Sequence, residues 1–546
     1  MVSRPRIVRG SSSRETRADV SSGETEDPVD PDFAEGTYLR AFPDIAEAVR
    51  RGSLASGLAH YRLAGRAEGR LEKPEYRALL ESYAGAAPPQ IAVDALTISH
   101  TGATLMTGWT DDRFDQLVEI ALDTRYDSRH EWKAFPRLVR PDVDRTLESA
   151  AGHRYGFLLV AAPAGGTAAP MIDPKSVNAP VFLFASGVET QLRREPVVAT
   201  DSDLRDLALA TLPTAALGQS DPAALHEILD QHVGVQIAAI NRLIADQAKA
   251  RRAIERVGPE RPRYRGTIVT TLRGPADRMV PWLTLLASGR GAADYEVIVV
   301  VTNPDQFEPA MRAARVAEAA IGLGVTLAMV PGGDPAGPGD EAADVARSDR
   351  LIFMDQTIFP RDPDWAATHS ALVSDAPETQ TRLFGGMLYQ AGGSLSHGGY
   401  YFERTASVVA PPDQAARRIA TFRLLKTAHP APALARDLPP SRPVIGVPAA
   451  FLSVHRAWFE QLGGFSRLYS RAAHEDIDLC LRSLKLDAPA WVHPVRMWQL
   501  EGRPPPRPEP SRGGIILNDW LLHRLWDSML VPEWLGPHPA LPPAGA

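Results

Sequence analysis

From residue 266 onward, apolar runs alternate between a strand period and a helix period, and that alternation limits the chain more than any other feature. GTIVTTL reads as a buried strand, MVPWLTLLAS as a helix, YEVIVVV as a second buried strand and EPAMRAARVAEAAIGLG as a second helix. VTLAMV and RLIFMD complete the series as third and fourth strands. Strands buried on both faces and alternating with helices imply an α/β fold with a mostly parallel sheet. Ligands of such sheets bind beyond the carboxyl ends of the strands, which is where Arg273, Thr302, Asn303 and Asp355 fall. The turn after the first strand, TTLRGPADR, has no G-x-G-x-x-G, which disfavours a dinucleotide-binding oxidoreductase.

At ~150 residues per domain, 546 residues call for about three or four domains. Residues 1–30 are basic and Ser-rich like a transit peptide, lack the apolar core of a secretory signal, and read as a disordered tail. Over 31–75, Tyr38, Leu39, Ile45, Val49, Leu58, Tyr61 and Leu63 suit a small module of two helices packed face to face and stopped at Gly52 and Gly65. From 90 to 200, runs such as ALTISH, YGFLLVAA and APVFLFAS, separated by Gly, Asp and Pro, predict a β-rich, sandwich-like domain. Within it, Trp109, Asp111 and Asp112 suit a sugar contact or, more simply, a buried aromatic beside a solvated turn. Residues 201–258 read as a helical connector, with one long helix over 222–256 carried by Leu225, Ile228, Leu229, Val235, Ile240, Leu243 and Ile244. The α/β segment then occupies 263–505. Residues 506–546 hold the end of a Pro-rich linker and a helix that folds back on that segment.

Composition removes several classes. Hydrophobic residues at 44% and charged residues at 23% are those of a globular chain, and no run approaches the ~18 to 20 apolar residues of a membrane span. A net charge of −7 gives no overall basic field to collect phosphates, so nucleic acid is not an expected partner. Cys480, the single cysteine, forms no intramolecular disulfide, and no Cys/His cluster has zinc-ligand spacing. These features fit a cytoplasmic protein without an integral membrane segment, with peripheral attachment at the inner membrane as a variant.

Read in order, TIVTTLRGPADRMVPWLTLLAS, YEVIVVVTNPD, RLIFMDQTIFPRDPDW, LFGGMLYQAGGSLSHGGYYFER, GVPAAFLSVHRAWFEQLGGFSRLY and HEDIDLCLRSLKLDAPAWVHP resemble bacterial family 2 glycosyltransferases of the GT-A fold. The resemblance runs from about 266 to 500, and the segment at 31–75 is similar to a module found at the head of such proteins. It implies inverting transfer of a sugar from a nucleotide-sugar donor to a hydroxyl of a glycan acceptor, in surface or secreted polysaccharide synthesis. By the family pattern, the base that takes the acceptor proton is the second residue of the acidic pair, Asp476, with Glu475 as the weaker candidate. Asp478 is expected to face water or cap the helix. Without the resemblance, the acidic pair would be read as charge favoured at a helix N-terminus. The resemblance also implies a donor site containing Arg273, Thr302, Asn303, Asp355, Thr357 and His397; on the bland reading His397 is a turn histidine between glycines. Trp458 and Phe459 are expected in the core.

Three positions depart from the family pattern, two at the site of the divalent cation, Mn²⁺ or Mg²⁺, that usually neutralises the departing diphosphate, and one where the nucleotide base is usually read. The usual Asp-x-Asp is Asp355-Gln356-Thr357, the late metal-binding histidine falls near Gln499, and the base-reading acidic position holds Val301 or Thr302. A hydroxyl and an amide are weak ligands beside carboxylate and imidazole, so Asp355 alone is left for a metal and dependence on it should be weak. Either fixed cations, among Arg273, Arg278, Arg496 and Arg503, neutralise the leaving group, or transfer is lost and the chain is a glycan-binding or scaffolding protein.

Overall fold

The computed structural model describes residues 38–39, 42–65, 68, 90–111, 117–122, 128–132, 135–138, 140–146, 155–163, 180–184, 189–191, 195–217, 229–250, 252–331, 336–373, 376–409, 417–427, 441–470, 474–500 and 509–536. The chain divides into two units, Met1–Pro89 and Gln90–Ala546. In the first, α1 (Pro43–Arg50) and α2 (Gly57–His60) bury Tyr38 and Ile45, and the Tyr38 hydroxyl pairs with His60 Nδ1 at 3.1 Å. Gly52 ends α1 with a left-handed φ of +71°, as the sequence predicts, whereas Gly65 serves a close approach to the Tyr38 hydroxyl. Leu63, expected in the packed face, is 82% exposed, because Tyr61–Gly65 winds as a π-turn and shifts the helical phase. The expected tail lies outside the described residues.

The second unit begins with two antiparallel sheets. One contains β1 (Ile91–Ser99), β2 (Thr104–Thr110), β5 (Arg137–Leu138), β6 (Gly156–Ala161) and β9 (Val197–Ala199) in the order β5-β6-β2-β1-β9, with only β9 running parallel to its neighbour. The other contains β3 (Leu117–Leu122), β4 (Ser128–Glu131), β7 (Val181–Phe184) and β8 (Glu189–Gln191) in the order β4-β3-β7-β8. Ile98, Met106, Phe157 and Leu159 from the first pack with Ile120, Phe182 and Phe184 from the second, forming the core of a sandwich. Trp109 is half-buried on β2, and the Asp111 carboxylate accepts from the Gln90 N–H at 2.5 Å, so this aspartate secures a strand end. Asp112 lies outside the described residues.

Helices α3 (Asp201–Leu217) and α4 (Gly234–Ala250) follow. Leu229, Ile240, Leu243 and Ile244 are buried as their periodicity predicts, whereas Val235 is exposed; Leu225 and Ile228 lie outside the described residues. The helix expected over 222–256 does not run to its predicted end. Ala253–Val257 is a strand, β10, paired antiparallel along β13 (Val325–Met329), where it supplies partners to an otherwise open sheet edge. The C-terminal helix, α11 (Glu509–Trp526), packs through Leu517, Trp520 and Leu521 into one apolar cluster with Leu204, Leu209, Ile237 and Ile240 of α3 and α4.

The large sheet has the order β10-β13-β12-β11-β14-β21-β16-β22-β15, with β11 (Gly266–Thr271), β12 (Tyr295–Val301), β14 (Arg350–Met354), β15 (Ile358–Pro360), β16 (Leu383–Tyr389), β21 (Phe451–His455) and β22 (Ala490–Gln499). The expected parallel alternation occupies β13-β12-β11-β14, and mostly antiparallel strands extend it into a mixed α/β sheet. In β12 the two-residue period is explicit. Val297, Val299 and Val301 pack with α5 (Met279–Ala287) and α6 (Phe307–Ile321). Ile298 and Val300 pack on the other face with α7 (Ala336–Val345), α9 (Arg456–Gln461) and α10 (Glu475–Leu484). Trp458 and Phe459 are buried in that second layer, as expected. Short strands β17 (Leu395–His397) and β20 (Arg442–Val444) border the sheet, and β18 (Tyr400–Val409) pairs with β19 (Arg417–Lys426) as a ribbon. Among the described residues, no helix is long and apolar enough to cross a membrane.

Behind β12 lies a buried polar chain. Tyr295 Oη pairs with Nδ1 of His369, on α8 (Trp365–Leu372), at 3.0 Å, His369 Nε2 pairs with Ser453 Oγ at 2.9 Å, and the His493 ring sits 5.8 Å from that of His369. Burial pushes His493 down to about 4 and holds His369 well below the ordinary imidazole range. Both are neutral in the native state while the unfolded chain protonates near 6.5, so stability is full above that pH and is lost as pH falls toward 4. At ~1.4 kcal/mol per pKa unit, His493 alone contributes on the order of 3 kcal/mol to that loss. Urea unfolding at pH 7.5 and pH 5 should show this decline, and His493→Gln should flatten it; an equal decline in the variant would contradict the assignment.

Candidate functional site at the strand ends

The strand order β13-β12-β11-β14 reverses direction of growth between β11 and β14, and at such a reversal the two following loops diverge and leave a crevice. The loop after β11 carries Arg273 and the loop after β14 carries Asp355. Their side chains meet, with Arg273 Nε 3.1 Å from Asp355 Oδ2. Thr357 completes this group, donating its backbone N–H at 2.9 Å and its hydroxyl at 2.8 Å to Asp355 Oδ1. Gln356 accepts the Arg273 backbone N–H through Oε1 at 3.0 Å. Thr302 and Asn303 follow β12 on the same edge. Asn303 Oδ1 accepts from the Asp305 N–H at 3.0 Å and so caps a turn, while Val301 is fully buried and only Thr302 of that pair reaches the surface.

The acidic pair opens α10, where Glu475, Asp476 and Asp478 in the first turn favour the positive end of the helix dipole. Surface charge alone does not describe them, since Glu475 and Asp476 are each 8% exposed. Asp476 Oδ2 accepts from the Ala449 N–H at 3.0 Å and the Tyr400 hydroxyl at 3.2 Å, and Oδ1 accepts from the Ile477 N–H at 2.8 Å. Burial outweighs these donors and holds the carboxyl above its ordinary range. The approach depends on Gly446, where a side chain would strike Ile477 and Cys480 of α10. Asp478, expected to face water or cap the helix, is instead buried, and Arg482, Trp526 Nε1 at 2.9 Å and Tyr469 Oη at 3.4 Å all donate to it.

These two groups are neighbours. Ala449 binds Asp476, and the next residue, Ala450, accepts the Asp355 N–H through its carbonyl at 3.0 Å. One dipeptide, with Cα atoms ~3.8 Å apart, therefore bridges the acidic pair and the Arg273–Asp355 pair. His397 belongs with the first group. Its ring meets that of Tyr400 edge-on at 4.5 Å, and its Nδ1 accepts from the Gly399 N–H at 3.1 Å, which leaves the ring proton on Nε2. Burial pushes His397 down to about 3, so it is neutral. Gln499 accepts from Ser396 Oγ at 2.7 Å. Arg278 lies near Gly274 in the β11 loop and Arg496 is exposed on β22; Arg503 lies outside the described residues.

The residues that position this site include several with no signal in a single sequence. Asn518 of α11 accepts from the Ser470 N–H at 2.8 Å and donates to its carbonyl at 2.7 Å. Asp519 pairs with His474 Nε2 at 2.6 Å. His474 precedes the acidic pair in a left-handed conformation, φ +76°, which is costly for a side-chain-bearing residue. The C-terminal helix thus grips both ends of the segment leading into α10. Two clefts, of about 810 and 660 Å³, include neither Asp355 nor Asp476 in their walls.

A divalent cation is poorly served here. Asp355 is the one carboxylate of its loop motif, both its oxygens already hold donors, and no group of three or more His, Cys, Asp or Glu suited to a metal occurs among the described residues.

No protein-family model matches the chain, and no curated protein does. Among solved structures it is similar to GalNAc-T7, crystallised with UDP, GalNAc and Mn²⁺, at 12% identity and a TM-score of 0.32, covering 50% of this chain and 52% of that one. It is also similar to the mannosyltransferase PcManGT from Pyrobaculum calidifontis, solved with GDP-Man and Mn²⁺, at 14% identity and a TM-score of 0.30, covering 59% and 82%. The chain thus spans about half the length of the first. Likenesses this distant assign neither activity nor ligand.

Asn518→Ala would strip two buried backbone groups of Ser470 of their partner, and a loss of about 2 kcal/mol or more is expected in urea unfolding. Asn518→Asp keeps the acceptor but sets a buried carboxylate oxygen against the Ser470 carbonyl, so it should not recover the loss. Equal stability of Asn518→Ala and wild type would show that the clasp does not hold this segment.

Proposed function

We propose that the chain is an inverting glycosyltransferase, moving a sugar from a nucleotide-sugar donor to a hydroxyl of a glycan acceptor in the synthesis of a bacterial surface or secreted polysaccharide. One observation carries the reading: a buried carboxylate of raised pKa, Asp476, lies one dipeptide from an Arg273–Asp355 pair at the sheet's topological switch. In this reading Asp476 takes the proton of the acceptor hydroxyl as its oxygen attacks the anomeric carbon opposite the diphosphate. The bond to the acceptor forms, the bond to the diphosphate oxygen breaks, and that oxygen departs with the electron pair. A carboxyl held above its ordinary range is a stronger base once ionised, which suits it to a weakly acidic hydroxyl. Glu475 is the second candidate.

Arg273, Asp355 and Thr357 are assigned to the donor's diphosphate side, and Thr302 and Asn303 to its nucleoside. His397 acts at one remove. It supports the Tyr400 ring, and Tyr400 fixes the rotamer of Asp476. A second reading, a non-catalytic glycan-binding or scaffolding protein, is favoured by Thr357 and Gln499 standing where the family has metal ligands.

Asp476→Asn keeps the size of the side chain but removes the proton acceptor. Nucleoside diphosphate release from a panel of nucleotide sugars should fall about 10² to 10⁴-fold while donor binding changes little. Glu475→Gln should be milder. Because Asp476 must be ionised, wild-type turnover should also fall as pH drops through its raised pKa. Small, equal effects from both substitutions, with melting temperatures measured on the same preparations, would remove Asp476 from the base role. No release by wild type across the panel, with glycan binding intact in Asp476→Asn, would favour the second reading.

A further inference from the structure

The residues at the switch point are arranged for an anion without a metal. Asp355 Oδ1 is taken by two donors from Thr357 and Oδ2 by Arg273 Nε, so a divalent ion would have to displace a guanidinium or share the carboxylate with it. Neither Thr357 nor Gln499 contributes charge to hold one. The donors, by contrast, exceed the acceptors. Arg273 is 56% exposed, and its two Nη groups make no hydrogen bond to a described residue. Gln356 Nε2 is buried and likewise unpartnered, while its Oε1 fixes the amide to the backbone of Arg273. An amide N–H₂ left in this condition is costly unless a ligand supplies acceptor oxygens.

We propose that the Arg273 guanidinium, oriented by Asp355 while Gln356 holds the Arg273 backbone, is the resident cation of a diphosphate-binding subsite and stands in place of a divalent metal. A planar guanidinium with two free Nη groups presents a fork that matches two oxygens of one phosphate, which a spherical ion cannot do. Asp355 then serves to aim the guanidinium rather than to ligate a metal. Thr357 holds Asp355 in that orientation. The proposal rests on the reading of this edge as the donor site only for the identity of the nucleotide, since the anion chemistry follows from the donors themselves.

The test uses the full chain and two probes, inorganic pyrophosphate and a panel of nucleoside diphosphates, titrated calorimetrically with EDTA or with excess Mg²⁺ or Mn²⁺. Wild type is expected to bind pyrophosphate in EDTA with an affinity within about twofold of that in metal. Arg273→Ala should weaken it roughly 10- to 100-fold, and Arg273→Lys less. The side chain is largely exposed, so the variants should melt with wild type. Binding of both probes only when metal is present, or unchanged binding by Arg273→Ala, overturns the proposal while leaving a donor site intact. Metal-free pyrophosphate binding through Arg273, with no nucleoside diphosphate bound more tightly, upholds the anion subsite and removes the nucleotide-sugar reading. No binding of either probe under any condition overturns both.

Discussion

Ala449 donates its N–H to Asp476, and Ala450 accepts the N–H of Asp355. The proximity of Asp476 to the Arg273–Asp355 pair depends on these two backbone bonds, because they fix a carboxylate from one helix against the end of a strand from the middle of the sheet. Gly446 lets this segment approach α10 closely, and the fully buried Ile477 and Cys480 close the space behind it. Movement at Ala449 would therefore alter both the environment of Asp476 and the distance to Arg273. The C-terminal helix restrains the other side of the same helix through Asn518, Asp519 and Trp526.

The two carboxylates are held in opposite ways. Asp476 is buried among neutral donors, and that burial raises its proton affinity. Asp355 is matched by a guanidinium and two Thr357 donors, and so works as a fixed counter-charge. One group can exchange a proton and the other orients a cation. Such a division is what a reaction needs when a hydroxyl loses a proton at one end and a diphosphate gathers charge at the other.

Much of the framework was legible because it rests on local periodicity. The strand runs at 266, 295, 325 and 350 are apolar on both faces, and the sheet buries them on both faces. The acidic pair at 475 and 476 was visible as charge opening an amphipathic helix, and the grouping of Arg273 with Asp355 followed from their places at strand ends. What could not be read were pairings over long separations. Tyr400 reaches Asp476 across 76 positions, and Asn518 reaches Ser470 across 48. Asp478 carries the same local signal as Asp476, and its distant donor Trp526, beside the local Arg482, makes it a buried structural group rather than a solvated one. Ala253–Val257 continued a helical pattern on paper, but the open edge of β13 decided its conformation.

The central claim is that a diphosphate-bearing donor binds where the strand order reverses, beside the Ala449–Ala450 bridge. Amide hydrogen exchange with and without a saturating nucleoside diphosphate tests this most directly. The account predicts slowed exchange in the β11 loop around 272–278, at 355–357 and at 447–450, with little change in the sandwich. Protection confined to the sandwich, or to the 810 Å³ cleft lined by Arg263, Arg265, Arg347 and Arg350 at the starts of β11, β12 and β14, would contradict it.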